Sequence, residues 1–298
     1  MRGLLLALGL CLVACDQDSF SIDDPAQSDE LAARVESAPS QSSAPSVFGG
    51  VSSLQHAHLD VLLREYFGPG GERFQGLIKD GEARRLLADY KVVLAGARPE
   101  QMSNPSERLS FWINAYTALV IDGLIHLVER DGEAASIDAD DFALFTRIKH
   151  KIAGFRVTLE EVEHLVLRGH RLYPDVRDTP VALADQLMDQ HRLLFPSGRR
   201  DPRVNFAVSF GARSFPPIPA QAYTAAALET LLDERTRAFI NDRDLGASER
   251  GVSVLFEWFR RDFVEDAGSV KAFIEPYLDD TDREIATDRS LRYDWGVR

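Results

Sequence analysis

Cysteine is nearly absent: the 298 residues hold two, Cys11 and Cys15, both at the extreme N-terminus. The rest of the chain has no thiol to oxidise, no disulfide and no thiolate for a metal, so its stability must come from an ordinary core. Metal-ligand spacing is missing as well. There is no His-Glu-x-x-His and no EF-hand loop, and the pairs His56/His58 and His164/His170 lack a zinc-type partnership, so neither metal nor cofactor is expected. Glycine-rich phosphate loops are lacking too, since "FGGV" and "GPGGE" read as turns. Basic charge is in short supply, with 34 Lys and Arg against 47 Asp and Glu, a net of -13. That balance gives no footprint for nucleic acid and no broad adhesion to anionic lipid.

What is present begins at the N-terminus. Arg2 precedes an apolar run over residues 4–13 and the sequence Leu-Val-Ala-Cys at 12–15. Such a run is too short to span a bilayer, which takes roughly 20 helical residues, and reads as a secretory signal. The ending resembles the bacterial lipobox, which implies cleavage before Cys15 and diacylglycerol on its sulfur. The expected layout is a signal peptide over 1–14, a lipidated cysteine and disordered tether over 15–53, and a globular domain over 54–298. The tether, rich in Ser, Asp, Ala, Gln and Pro, cannot bury enough surface to offset its ordering entropy. The expected location is the cell envelope, with the domain outside the cytoplasm and the membrane as partner through acyl chains on Cys15.

The globular part reads as α+β, a mainly helical single domain with a small antiparallel sheet. Its strongest helix start is "SNPSERLSFWINAYTALVIDGLIHLVERDG", with Asn104 as N-cap, Pro105 at the first helical position and Glu107 as reciprocal partner to the cap. Apolar residues on nearly every side predict a buried central helix, and Asn114, Asp122 and His126 argue against a membrane span. "KHKIAGFRVT" alternates around an Ala-Gly turn and predicts a hairpin. Thr158 and Glu161 form a capping box for the helix "LEEVEHLVLRGH", on which Glu160, His164 and Arg168 share a face. Later segments predict a helix over "AAALETLLDERTRAFIND", a short strand at "GVSVLF", one helix through "EWFRRDFVEDAG", and a strand-like end at "SLRYDWGVR".

Five ordered blocks, "LSFWINAYTALVI", "VTLEEVEHLVLR", "DPRVNFAVSFGARSFPPI", "QAY" and "RYDW", resemble the signature of the family called domain of unknown function 547. The resemblance runs from about His56 to Trp295. It implies an uncharacterised domain that is often exported in bacteria, and it singles out Asn114, Tyr116, Glu163, His164, Arg168, Arg203, Tyr223, Tyr293, Asp294 and Trp295. Family members usually carry two cysteines where this chain has Phe210 and Phe215. A thiol hydrolase built on those positions is thereby excluded here, because phenylalanine is no nucleophile.

Each remaining candidate has two readings. Ser214 stands as a substitute nucleophile, with His164 as base and Glu163 or Asn114 orienting it, or else caps its own turn. His164 is a general base or a histidine tied to Glu160 or Arg168. Arg203 forks a ligand carboxylate or closes a structural ion pair. Asn114 binds ligand or is a satisfied buried amide, and Tyr116, Arg168, Tyr223 and Asp294 complete the ligand-binding candidates. The balance favours a binding or scaffolding module for an unidentified small molecule or protein and leans away from an enzyme. The alternative is a hydrolase or acyltransferase around Asn114, His164, Arg203 and Ser214.

Overall fold

In the computed structural model, residues 56–68, 74–173 and 176–297 are described. The expected signal peptide, Cys15 and the expected tether lie outside them. The domain is a mainly helical α+β structure, built around α4 (Pro105–Asp131). Its start follows local chemistry: the Asn104 side chain accepts from Glu107 N at 2.9 Å, and Pro105 needs no donor. The Glu107 carboxylate, expected to close on Asn104, instead accepts from Ser103 N, one residue earlier. Every residue from Leu109 to Ile121 is buried, because α3 (Gly81–Gly96), α7 (Val181–Leu194) and the segment Val162–Leu167 surround it. The helix is long and apolar enough to cross a bilayer, yet here it packs inside the protein.

Ahead of α4 lie α1 (Ala57–Phe67), α2 (Phe74–Lys79) and α3, the last capped by Asp80. After α4 come α5 (Ala139–Thr146) and the hairpin β1 (His150–Ile152) and β2 (Phe155–Val157), paired antiparallel with Ile152 opposite Phe155. Ala153 and Gly154 both take positive φ, as a two-residue type I′ turn requires. The hairpin also closes a helix end: Ala153 N and Gly154 N donate to Leu94 O and Ala95 O at the end of α3.

The capping box holds at α6 (Leu159–Glu161), with Glu161 N to Thr158 Oγ1 at 3.1 Å and Thr158 N to Glu161 Oε2 at 2.8 Å. The expected α-helix beyond it does not continue. Val162–Leu167 is π-helical, and Arg168 N donates five residues back to Glu163 O at 2.9 Å.

The C-terminal third consists of α8 (Val204–Ala207), α9 (Leu228–Asn241), β3 (Ala247–Ser248), β4 (Gly251–Val252), α10 (Leu255–Trp258), α11 (Arg260–Ala267) and α12 (Val270–Ile274). The strand expected at "GVSVLF" stops at Val252, and just ahead of the new helix α10 the Ser253 Oγ accepts from Leu255 N at 3.3 Å. The single helix expected through "EWFRRDFVEDAG" breaks at Phe259, whose backbone leaves the helical region. The terminal segment makes isolated bridges at Ser290, Gly296 and Val297 rather than a strand, and straps Val252, Ser136 and Ala212 together.

Phe210 and Phe215 lie inside the core. Their rings stack at 4.0 Å and 9°, Phe210 also meets the edge of Phe145, and both are essentially inaccessible. Gly211 between them has φ 75°, and a Cβ there would come within 2.3 Å of Leu124, so the turn is closed to other residues. The two positions where the family resemblance implied thiols face each other as a packed aromatic pair.

Candidate functional site

The site grows from the π-helical turn and α11. Arg168 leaves the end of that turn, 4 % exposed, and its Nε donates to Asp262 Oδ2 at 2.9 Å. Its guanidinium lies over the Phe259 ring at 3.8 Å, and Nη1 meets His164 Nδ1 at 3.0 Å. Asp262 also accepts from Asn205 Nδ2 at 3.2 Å, and its Oδ1 stands 3.1 Å from His170 Nε2 without hydrogen-bond alignment. Burial alone would raise the Asp262 carboxyl; Arg168 and His170 outweigh it and hold the group below its ordinary range. Burial first, and then Arg168, keep His164 neutral far below its usual value, while burial carries His170 down to about 3.

On the other side of the turn, Tyr116 of α4 donates to Glu163 Oε2 at 3.0 Å, both groups being buried. Burial pushes the Glu163 carboxyl up against the pull of Arg168 and Tyr116. Glu163 Oε1 has no hydrogen-bond partner among the described residues. His164 is 1 % exposed and its ring stacks on Tyr173 at 3.8 Å and 18°. Thus Tyr116, Glu163, His164 and Arg168 come together in one buried polar centre.

The other candidates sit elsewhere. Asn114 forms a two-way bond with the Tyr223 backbone, accepting from its N and donating to its O, both at 2.8 Å. Its amide thereby acts as one rung of a sheet, pinning the chain after the double proline to α4. Ser214 accepts at Oγ from Asp294 N at 2.9 Å, and its own N donates to Asp294 O. That pair fastens the terminal strap. No hydrogen bond joins Ser214 to His164 among the described residues.

Arg203 lies outside the buried centre, in a cleft of about 410 Å³ between the first turn of α4, the end of α7 and α9. Asp201 takes Arg203 Nε and Nη2 at 3.0 and 2.6 Å, and Glu229 and Asp233 take the outer nitrogens. Arg200, in the same cleft, reaches through to Arg168 O at 3.1 Å and lies 3.7 Å from Asp262. It therefore joins the cleft to the charged centre. A second hollow of about 430 Å³, beside the hairpin turn, shares no residue with either.

Residues 99–240 match the family model described as Protein of unknown function, DUF547. The matched DUF547 segment is just under half the chain and supports that domain family. It contains the first four sequence blocks and every candidate from Asn114 to Tyr223; "RYDW", with Asp294, lies beyond it, as does Asp262. No curated protein and no solved structure matches the chain.

Asp262, Arg200 and Asn205 complete the centre without having been singled out in the sequence, together with His170, which was considered there only as a metal ligand. Arg200 left a trace, as one of three arginines within the five residues 199–203. Asp262 left none, since it is one acid among several in an outwardly amphipathic stretch 94 residues from its partner.

Proposed function

We propose that the chain is an exported lipoprotein, held at an envelope membrane by acyl chains on Cys15, whose DUF547 segment belongs to a binding or scaffolding module. The observation that carries the binding reading is how the candidate atoms are already spent. His164 Nδ1 faces a guanidinium and Ser214 Oγ holds the terminal strap, whereas Arg203 lies in a cleft where two of its three acid partners, Glu229 and Asp233, are exposed. A concave site with an apolar floor and a few fixed polar groups is the usual form of a small-molecule site.

Support for the anchor is the Leu-Val-Ala-Cys sequence at 12–15. A single acyl chain binds membranes marginally, so stable attachment needs several chains on this one residue. Cells fed radiolabelled palmitate should label the wild type and leave Cys15→Ala unlabelled. Equal labelling of the two, or none of the wild type, contradicts the anchor.

A hydrolase or acyltransferase around Asn114, His164, Arg203 and Ser214 is the second reading. It draws on one observation: π-helical turns concentrate at functional sites, and this one presents a buried carboxylate with an unsatisfied oxygen.

A further inference from the structure

The charges in the cleft differ in how firmly they are held. Arg200 and Arg203 have side chains 17 % exposed, and each is fixed by the fold, Arg200 by the Arg168 carbonyl and the Glu265 carboxylate and Arg203 by Asp201. The acids on the outer face of Arg203 are loose by comparison: the Glu229 side chain is 71 % exposed and that of Asp233 59 %. Both project from α9, where solvent-facing rotamers are open to them. Exposed ion pairs of this kind are worth about 0–1 kcal/mol, so displacing either carboxylate is inexpensive.

The floor supplies the other half of the chemistry. Leu109, Leu194, Phe195, Leu228 and Phe273 line the cleft below the guanidinium groups. An arginine fork beside an apolar floor suits a ligand with a flat anionic head and an apolar body.

Resting on the binding reading above, we infer that the cleft takes an amphiphilic organic anion, whose acidic group replaces Glu229 and Asp233 on Arg203 while its apolar body lies on the leucine and phenylalanine floor. In the free protein those two carboxylates occupy the places of the ligand's own oxygens.

The test uses 1-naphthoate and its uncharged counterpart 1-naphthamide, titrated calorimetrically into the detergent-solubilised full chain against a detergent blank. Naphthoate should bind about tenfold tighter than naphthamide, and Glu229→Gln with Asp233→Asn should tighten naphthoate about fivefold further, one charge-assisted contact being worth that order. Both substitutions are on exposed side chains and leave the fold intact. Removing two acids outside the cleft, Glu82→Gln with Glu133→Gln, controls for net charge and should change binding by less than about twofold. Ser106→Trp, which fills the mouth of the cleft, should abolish binding of both compounds. Equal affinity for acid and amide, or no tightening beyond the control, overturns the anionic assignment while loss in Ser106→Trp leaves the cleft itself standing. Binding unchanged by Ser106→Trp, or no binding by wild type, overturns the cleft as the site.

Discussion

Asp262→Ala should lose about 3–5 kcal/mol of unfolding free energy, among the largest effects of any single substitution in the domain. The loss is not the value of one contact. It is the cost of leaving the Arg168 guanidinium, 4 % exposed, without its counter-charge. Asn205 Nδ2 loses an acceptor at the same time. Asp262→Asn keeps the shape and an acceptor oxygen, and should fall between wild type and alanine. Replacing both partners, Arg168→Met with Asp262→Leu, should recover much of the deficit, because a buried ion pair commonly gives way to apolar groups of similar volume without net loss. Urea denaturation of the four proteins measures all of this. A loss under about 1 kcal/mol for Asp262→Ala would mean that the pair is hydrated and is not a keystone of the fold.

Acid should unfold the domain well above the range in which ordinary carboxylates titrate. Burial lowers His56 and His150 to about 4 and His170 to about 3, against an ordinary 6.5. The sign follows from which state takes the proton first. Below pH 6.5 the unfolded chain binds protons that these folded imidazoles refuse, so their contribution is complete above 6.5 and drains as the pH falls toward 4. Each imidazole loses roughly 2 kcal/mol between pH 8 and 5, and three together lose roughly 6, against a total of about 5–15 for a typical domain. His164, also held low, adds to the loss. Glu163 works the other way, since its raised carboxyl takes a proton in the folded state first, but it is one group against several. Urea midpoints across pH 8 to 4 should fall steeply below 6.5. A flat profile down to pH 4.5 would show that these histidines charge in place.

Local chemistry was legible in the sequence, and distant pairing was not. The Asn104 cap, the Thr158–Glu161 box and the Ala-Gly hairpin depend on neighbours within a few residues, and each appears as the pattern of side chains dictates. The face shared by His164 and Arg168 was legible for the same reason, and the two groups do meet. The π-helical turn was invisible because the backbone register there answers to what packs on it, including His191, whose ring lies within 2.4 Å of where a Gly169 Cβ would be. Strand-like alternation at the C-terminus was real, but its partners are single residues far apart in sequence, so it became a strap. The polar side chains of α4 go different ways for a similar reason. Asn114 turns inward to Tyr223, while Asp122 meets Lys91 and His126 and Glu129 pair nearer the surface.

The buried centre therefore looks inward, to stability, and Arg200 carries its influence to the cleft wall. Intact-mass analysis of the full chain after exposure to a fluorophosphonate, which reacts with activated serines, separates the two readings of the DUF547 segment. The binding reading predicts an unmodified mass, since no hydrogen bond joins Ser214 to a histidine among the described residues and its Oγ is bound to Asp294 N. An adduct on Ser214 that disappears in His164→Ala would contradict it and establish a nucleophile and base in its place.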